Sequence, residues 1–177
     1  MEDQKVNPMK SAMTYGLILA LALIVLHLVQ YLMDVYKPPM WVNILNYAVI
    51  VGGILYGTIR FRNDDLGGYI SYGRALGFGV LISLFSSVVY GFYLYLLTAV
   101  IDPSYMEGLY QVLEETYLEM GMADDQVETM MTAVKKFQTP LMMLISSIFS
   151  FTLMGTIFSL ITSIFIKKEE PLFDTNE

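Results

Sequence analysis

Arg74–Ile101 reads RALGFGVLISLFSSVVYGFYLYLLTAVI, and this stretch decides the fold. After Arg74 it carries no charged residue, and it exceeds the ~20 apolar residues that a helix needs to cross a membrane. Inside lipid every backbone N–H and C=O group must be satisfied within the segment, so the stretch is predicted to be a transmembrane helix. Small residues recur at every fourth position and therefore share one helix face: Ala75, Gly79, Ser83, Ser87 and Gly91.

Three further apolar runs have the length of a membrane span. The predicted spans cover residues 11–33, 40–59, 74–101 and 140–166. The composition agrees, because 55% of the residues are hydrophobic and only 15% are charged, whereas soluble domains are about 25% charged. The chain is therefore predicted to be all-α, an integral membrane four-helix bundle that forms a single domain over residues 1–177.

The other spans also carry small residues about one helical turn apart. These are Ala12, Gly16 and Ala20 in the first span, Gly53 and Gly57 in the second, and Gly155, Ser159 and Ser163, with Thr152 and Thr156, in the fourth. Small side chains let helix backbones approach closely in lipid, which predicts a tightly packed bundle. A pore with a wet path past Ser146, Ser147 and Ser150 is one alternative, and a homo-oligomer joined through a spare small face is another.

The distribution of Lys and Arg predicts the orientation of the chain. One side of the membrane receives Lys5, Lys10, Arg60, Arg62, Arg74, Lys167 and Lys168, and the other receives Lys37, Lys135 and Lys136. By the positive-inside rule both termini face the cytoplasm. Residues 60–74 then form a cytoplasmic loop, either a turn held at the membrane surface or a docking loop for a partner.

Polar side chains lie near the outer ends of the first two spans. His27, the one histidine, is followed by Gln30, and Asn43 and Asn46 begin the second span at the same depth. These four are expected to meet, either as a hydrogen-bonded clip between the helices or as a binding site for a lipid head group or small molecule. Catalysis by His27 is disfavoured because no nucleophile or orienting carboxylate accompanies it.

Residues 102–139 are predicted to form a helical hairpin outside the membrane. Asp102-Pro103 and Thr139-Pro140 each combine a capping residue with a proline suited to the first helical position, and Gly121 separates two helical stretches. The acidic residues of the hairpin are Asp102, Glu107, Glu114, Glu115, Glu119, Asp124, Asp125 and Glu128.

Only Lys135 and Lys136 balance these acids, so the hairpin is strongly acidic. Anionic lipid would repel it, which leaves a solvated face or a docking surface for a basic protein. A calcium or magnesium site at Glu115, Glu119 and Asp124 lacks EF-hand spacing, and Met120 and Met122 are only a weak signal for copper.

A motif around the third span resembles a known family. LGGYISYGRALGFGVLISLFSSVVYGFYLYLL (Leu66–Leu97), followed by DPSYMEGL (Asp102–Leu109), is similar to the Bacteroidetes membrane-protein family called domain of unknown function 4199. The resemblance implies four spans and a bacterial inner membrane. It supplies no activity and no catalytic residues, and the genes encoded near members hint at envelope assembly.

The composition excludes several function classes. Without cysteine there is neither a disulfide nor a thiolate nucleophile, and a net charge of −7 argues against nucleic acid. No carboxylate lies well inside a span, which argues against ion-coupled transport. We expect a non-catalytic scaffold or accessory subunit of an envelope complex, without a cofactor, contacting lipids and a protein partner through the hairpin or loop 60–74. The alternatives are a small-molecule or lipid transporter component and, less favoured, a lipid-processing enzyme.

Overall fold

The computed structural model describes residues 7–169 and is helical almost throughout. The helices are α1 Pro8–Leu32, α2 Met40–Arg60, α3 Tyr72–Leu96, α4 Tyr105–Glu119, α5 Asp124–Phe137 and α6 Pro140–Ile166. A π-helical turn extends α2 over Phe61–Asp65, and another extends α3 over Leu97–Ile101. Within residues 7–169 extended pairing is limited to one β-bridge, between Ile70 and Lys168. The prediction of an all-α chain is confirmed.

Four of these helices form a membrane bundle, as predicted. They cover Pro8–Leu32, Met40–Asp65, Tyr72–Ile101 and Pro140–Ile166 and have mean hydropathies between 1.6 and 2.3. The second helix continues past Ile59, since the charged residues that follow can face the head groups while their backbone stays hydrogen-bonded. The third begins at Tyr72, with Ser71 as its N-cap residue.

Helix α3 has the largest share of the helix–helix contacts. It packs most extensively on α6 and then on α1, and it also touches α2, while α2 contacts both α1 and α6. Neighbouring helices around the bundle therefore follow the order α1, α2, α6, α3. The last helix of the chain thus lies directly beside the third.

Small residues lie where α3 meets α6. A Cβ atom built on Gly79 would lie 2.5 Å from Ser159 Oγ, and one built on Gly155 would overlap the side chain of Ser83. Ser83 and Ser159 are both fully buried. The two backbones therefore approach so closely that neither glycine leaves room for a methyl group. The other small positions of α3 are Ala75 and Ser87, which are fully buried, and Gly91, whose Cβ would lie 2.8 Å from Ser147 Oγ.

The contact between α1 and α3 uses the same principle. A Cβ atom on Gly16 would lie 2.7 Å from Phe85 Cβ, and Ala12 and Ala20 are fully buried. The hydroxyl of Ser86 donates to the carbonyl oxygen of Gly16 at 2.8 Å, so a hydrogen bond crosses between the helices. Such bonds contribute modestly in lipid, roughly 0.6 kcal/mol each.

Helix α2 also presents its glycines to its neighbours. A Cβ atom on Gly53 would lie 2.7 Å from Leu19 Cδ1, and one on Gly57 would lie 2.7 Å from Ile82 Cδ1. The Cβ on Gly57 would also lie 2.9 Å from Tyr15 Cβ, so α1 approaches closely at this position as well. Every span therefore contributes small residues to a helix contact.

Several hydroxyl groups of the bundle lie within helix contacts. Ser83 Oγ donates to its own helix at Gly79 O, 2.9 Å away. Among the described residues, Thr58 Oγ1 and Ser159 Oγ are buried and have no hydrogen-bond partner. Because these side chains are enclosed by neighbouring helices, they do not line a wet path at these positions.

The loop after α2 joins the end of α6. Ile70 and Lys168 exchange two backbone hydrogen bonds, of 2.8 and 2.9 Å. Arg62 Nη1 donates to Ile166 O at 3.0 Å, which places a cation at the C-terminus of α6, where the helix dipole favours it. The sequence predicted a membrane-surface turn here but not its pairing with α6.

The same loop contacts α1 and α3. Ser11 Oγ donates to Asp65 Oδ2 at 2.8 Å. The ring of Phe61 is buried and stacks on Phe78 with their centroids 3.9 Å apart, and Arg74 lies 6.0 Å over the Phe61 ring. This end of the bundle is therefore fixed by contacts that involve all four spans.

A pair of alanine substitutions tests the packing. Gly155→Ala should destabilise the bundle by roughly 1–3 kcal/mol, because its Cβ overlaps Ser83 and the backbones must separate. Gly77→Ala is the matched control, since a Cβ there meets nothing within 4 Å, and it should be neutral or slightly stabilising. Thermal unfolding in detergent measures both, and equal melting temperatures for the two variants would contradict the close approach.

Candidate functional site

The hairpin, residues 102–139 with helices α4 and α5, has a core of its own. Its buried residues are Met106 and Tyr110 on α4 and Val127 and Met131 on α5. Gly121 adopts a φ of +81° at the turn, a conformation that favours glycine. The hairpin therefore packs on itself, as an acidic segment with an internal apolar stripe should.

The ends of the hairpin are capped by polar side chains. Asp102 Oδ1 accepts from the backbone N–H of Ser104 at 3.1 Å, and α4 begins only at Tyr105. At the other end, Thr139 Oγ1 accepts from Met142 N at 3.3 Å, and Pro140 is the first residue of α6. Asp102 thus shapes the turn that precedes α4 instead of capping the helix directly.

His27 joins the membrane bundle to the hairpin. Its Nδ1 lies 2.9 Å from the hydroxyl of Tyr93 on α3, and its Nε2 lies 3.2 Å from the hydroxyl of Tyr105 on α4. In a neutral imidazole one nitrogen donates and the other accepts, so the two tyrosines complete its hydrogen bonding. His27 therefore has a hydrogen-bond partner on each ring nitrogen, one from α3 and one from α4.

Further tyrosines surround this contact. Tyr31 Oη donates to Asp102 Oδ2 at 2.9 Å, and the rings of Tyr31 and Tyr36 lie 5.5 and 5.2 Å from that of Tyr105. Together with His27 and Tyr93 they form what we call the tyrosine–histidine cluster. Packed aromatic pairs of this kind add roughly 0.5–1.5 kcal/mol beyond the area they bury. The cluster fixes α4 against α1 and α3.

Hydrogen bonding shifts one pKa value at this junction and burial shifts another. Hydrogen bonds from Ser104 and then from Tyr31 stabilise the ionised carboxylate and lower the pKa of Asp102. Burial is the main cause that raises the pKa of Tyr105. Asp102 therefore stays ionised and Tyr105 neutral at physiological pH, which preserves the hydrogen bonding of the junction.

The four polar residues predicted to cluster line one cleft. His27 and Gln30 of α1 and Asn43 and Asn46 of α2 surround a cavity of about 240 Å³ near one end of the bundle. Gln30 Nε2 donates to Leu26 O at 3.1 Å, whereas the bonds of His27 go to tyrosines. The cleft thus brings the four together without direct hydrogen bonds among them.

Sequence reasoning missed the tyrosine–histidine cluster. Tyr93 and Tyr105 are 66 and 78 residues from His27 along the chain, so spacing alone could not pair them. The available signal was the concentration of tyrosines at one membrane level: Tyr31 lies in the last turn of the first span, Tyr36 follows that span, and Tyr105 follows the third.

The acidic side chains of the hairpin divide into separate groups. Glu114, Asp124 and Glu128 outnumber the one cation, Lys135, in the lining of a groove of about 320 Å³ between α4 and α5, with the buried Val127 and Met131 at its base. We call this the acidic groove. The other acids lie outside it: Glu107, Glu115 and Asp125 are exposed, and Glu119 pairs with Lys37 at 2.8 Å.

The calcium or magnesium site considered for the hairpin has no counterpart in the described geometry. Within residues 7–169, no group of three or more His, Asp and Glu side chains is placed to hold a metal ion. The calcium alternative required Glu115, Glu119 and Asp124 to converge, yet Glu119 is directed to Lys37. That ion pair is exposed and contributes little to stability.

A larger, apolar groove opens on the side of the bundle. Leu94, Phe149 and Met142 line a space of about 670 Å³ together with Ser146 and Ser150. These serines were candidates for a pore. In the structure they border a lateral groove between α3 and α6 near the hairpin, where membrane lipid would lie.

The fold defines a small multi-pass membrane protein, a four-helix bundle with a helical hairpin inserted between its last two spans. A family model described as Protein of unknown function (DUF4199) matches residues 14–168, and the chain belongs to this family. The family expected from the third-span motif is therefore confirmed. No curated protein and no solved structure matches the chain.

The docking of the hairpin can be tested at Tyr105. Tyr105→Phe keeps the ring but removes the hydroxyl that meets His27, which should cost about 1 kcal/mol of local stability. Backbone amides of α4 should then exchange hydrogen roughly fivefold faster. Tyr117→Phe on the same helix is the control, and identical exchange in both variants would contradict the assigned contact.

Acid sensitivity should report on Asp102. Because its pKa is lowered in the folded state, its contribution is complete at neutral pH and is lost as the pH falls through that lowered pKa. We expect the Asp102→Asn variant to melt at a lower temperature than the wild type at pH 7. The difference between the two melting temperatures should become smaller toward pH 3. Glu115→Gln, at an exposed position beyond the first turn of α4, should leave the wild-type profile unchanged. A constant difference in melting temperature between Asp102→Asn and the wild type would refute the assignment.

Proposed function

We propose that this protein is a non-catalytic scaffold or accessory subunit of an envelope complex. The bundle anchors it in the membrane, and the acidic groove of the hairpin docks a basic segment of a partner protein. The observation that carries the proposal is that Glu114, Asp124 and Glu128 flank an apolar base on a hairpin held to the bundle by His27. Opposite charge would speed and orient the encounter, and the apolar base would retain the partner.

The orientation that this role requires is supported by charge. Lys10, Arg60, Arg62, Arg74, Lys167 and Lys168 belong to the end of the bundle opposite the hairpin; Lys5 lies outside the described residues. We assign this end to the cytoplasm and the hairpin to the outer face of a bacterial inner membrane, with both termini cytoplasmic. The partner would then be an envelope protein.

We further propose that the protein performs no turnover of its own. Each ring nitrogen of His27 is occupied by a tyrosine hydroxyl, and Asp102 is engaged by Tyr31 and Ser104. A catalytic base needs access to a substrate proton. These groups instead complete one another's hydrogen bonds.

Transport of a small molecule or lipid is the competing function. The apolar lateral groove favours contact with lipid. The burial of Ser83, Ser87 and Ser159 between helices weighs against an aqueous conduit at the centre of the bundle. Transport is therefore the second candidate function, after the scaffold.

Purification in mild detergent, with identification of co-purifying proteins, tests the scaffold. The variant Glu114→Gln, Asp124→Asn, Glu128→Gln removes three charges from the acidic groove. Its affinity for the recovered partner should fall roughly tenfold, as three exposed ion pairs of ~0.5 kcal/mol each would give.

The control variant is Glu107→Gln, Glu115→Gln, Asp125→Asn. It removes the same charge from the hairpin outside the groove and should bind nearly as well as the wild type. Equal loss in both variants would mean non-specific attraction to an acidic surface. Recovery of no partner, together with solute flux into liposomes that contain the chain alone, would favour transport over the scaffold.

A further inference from the structure

The polar cleft contains amide groups that the chain leaves without hydrogen-bond partners. The side-chain hydrogen bonds formed in the cleft by residues 7–169 are those of His27 and Gln30. The amides of Asn43 and Asn46 form none there. Gln30 uses one N–H and keeps its carbonyl oxygen available. The cleft thus offers both donors and acceptors.

These amides lie in apolar surroundings. Both belong to α2, a membrane span, in which Trp41, Ile44 and Leu45 are exposed neighbours that lipid must cover. Transfer of an amide from water to an apolar environment without a compensating hydrogen bond is costly. Asn43 is exposed and Asn46 is half-buried, so a group from outside the chain, either water or the polar part of a ligand, can satisfy them.

The lining of the cleft indicates the chemistry of that group. Among the described residues that line it, none carries a formal charge when His27 is neutral. Leu23, Ile50 and Phe151 supply apolar walls. Amides recognise hydroxyls and ester carbonyls, whereas an anionic phosphate is bound most strongly by cations, and the lining supplies none. The ligand that fits this lining is an uncharged polar group attached to an apolar chain.

The mouth of the cleft decides between a lipid and a soluble compound. Its exposed members are Asn43 and Tyr47, and the Tyr47 ring lies 6.1 Å from that of Phe158 on α6. The opening therefore adjoins surfaces of α2 and α6 that face lipid. A ligand arriving from the bilayer can place its head on the amides and its chain along these rings.

We infer that this cleft binds a membrane lipid through the uncharged hydroxyl and ester groups of its head. Asn43 and Asn46 supply N–H donors and C=O acceptors, Gln30 supplies a further acceptor, and Phe151 closes the apolar side. The site is independent of the acidic groove, which lies on the hairpin.

Native mass spectrometry of the detergent-purified protein tests this inference with lipids of equal acyl chains. Dioleoylglycerol is the uncharged probe, dioleoylphosphatidylglycerol is the anionic one, and glycerol alone represents a soluble polyol. We expect dioleoylglycerol to bind most tightly and glycerol not to bind. A preference for the anionic lipid, or binding of glycerol, would overturn the proposal.

Substitution of the two amides locates the site. Asn43→Leu with Asn46→Leu should weaken dioleoylglycerol binding roughly tenfold, the effect of two lost hydrogen bonds. Thr156→Val is the control: it removes a hydroxyl from α6 that is bonded at 2.8 Å to Thr152 O, outside the cleft, and it should bind as the wild type does. Unchanged binding in the double variant would mean that water satisfies the amides.

Photo-crosslinking of the wild-type chain gives a result that does not depend on folding of the variant. A dioleoylglycerol analogue with a diazirine near its ester groups should label Tyr47 and Phe151, with the labelled residues resolved one by one by fragmentation of the peptides. Labelling confined to the lateral groove, at Phe149, would overturn the assignment even if lipid binding itself is observed.

Discussion

The structure depends on how closely α3 can approach its neighbours. In lipid the hydrophobic effect does not drive one apolar helix against another, because lipid tails are as apolar as leucine side chains. Association must come from dispersion contacts and interhelical hydrogen bonds, and dispersion falls off steeply with distance. Gly79 and Ser83 on one face of α3 admit Ser159 and Gly155 of α6, and Ser86 on another face bonds to Gly16 of α1. One helix thereby holds two neighbours.

The two ends of the bundle use different chemistry to fix the same helices. At one end, backbone hydrogen bonds between Ile70 and Lys168 set the position of α6 relative to the loop before α3. At the other end, His27 and Tyr105 join α1 to the hairpin that leads into α6. Both ends lie at membrane–water boundaries, where tyrosine and charged side chains keep partial access to water. Between the two ends, small residues are enough to pack the spans, because the contacts at both ends already fix the heights of the helices relative to one another.

The sequence predicted the spans and their small faces because these depend on residue type and helical period alone. Gly79 and Gly155 could be identified as contact positions from spacing, but not paired with Ser159 and Ser83, since pairing depends on the relative height of two helices far apart in the chain. The tyrosine–histidine cluster was missed for the same reason. Membership of Asn43 and Asn46 in one cleft with His27 was predictable, because a short loop places the ends of α1 and α2 at one depth.

Rigid attachment of the hairpin matters for the proposed scaffold role. Ordering of side chains and loops at an interface opposes binding, so a surface already held in place loses less on association. Tyr105 lies at the start of α4, so its contact with His27 fixes the orientation of the hairpin, whereas Met106 and Val127 fix its two helices against each other. Force applied to the acidic groove by a bound partner would pass through these contacts to α1 and α3. A flexible acidic tail would carry the same charge but would lack these contacts with α1 and α3. A packed hairpin therefore has a mechanical advantage over such a tail as a docking surface.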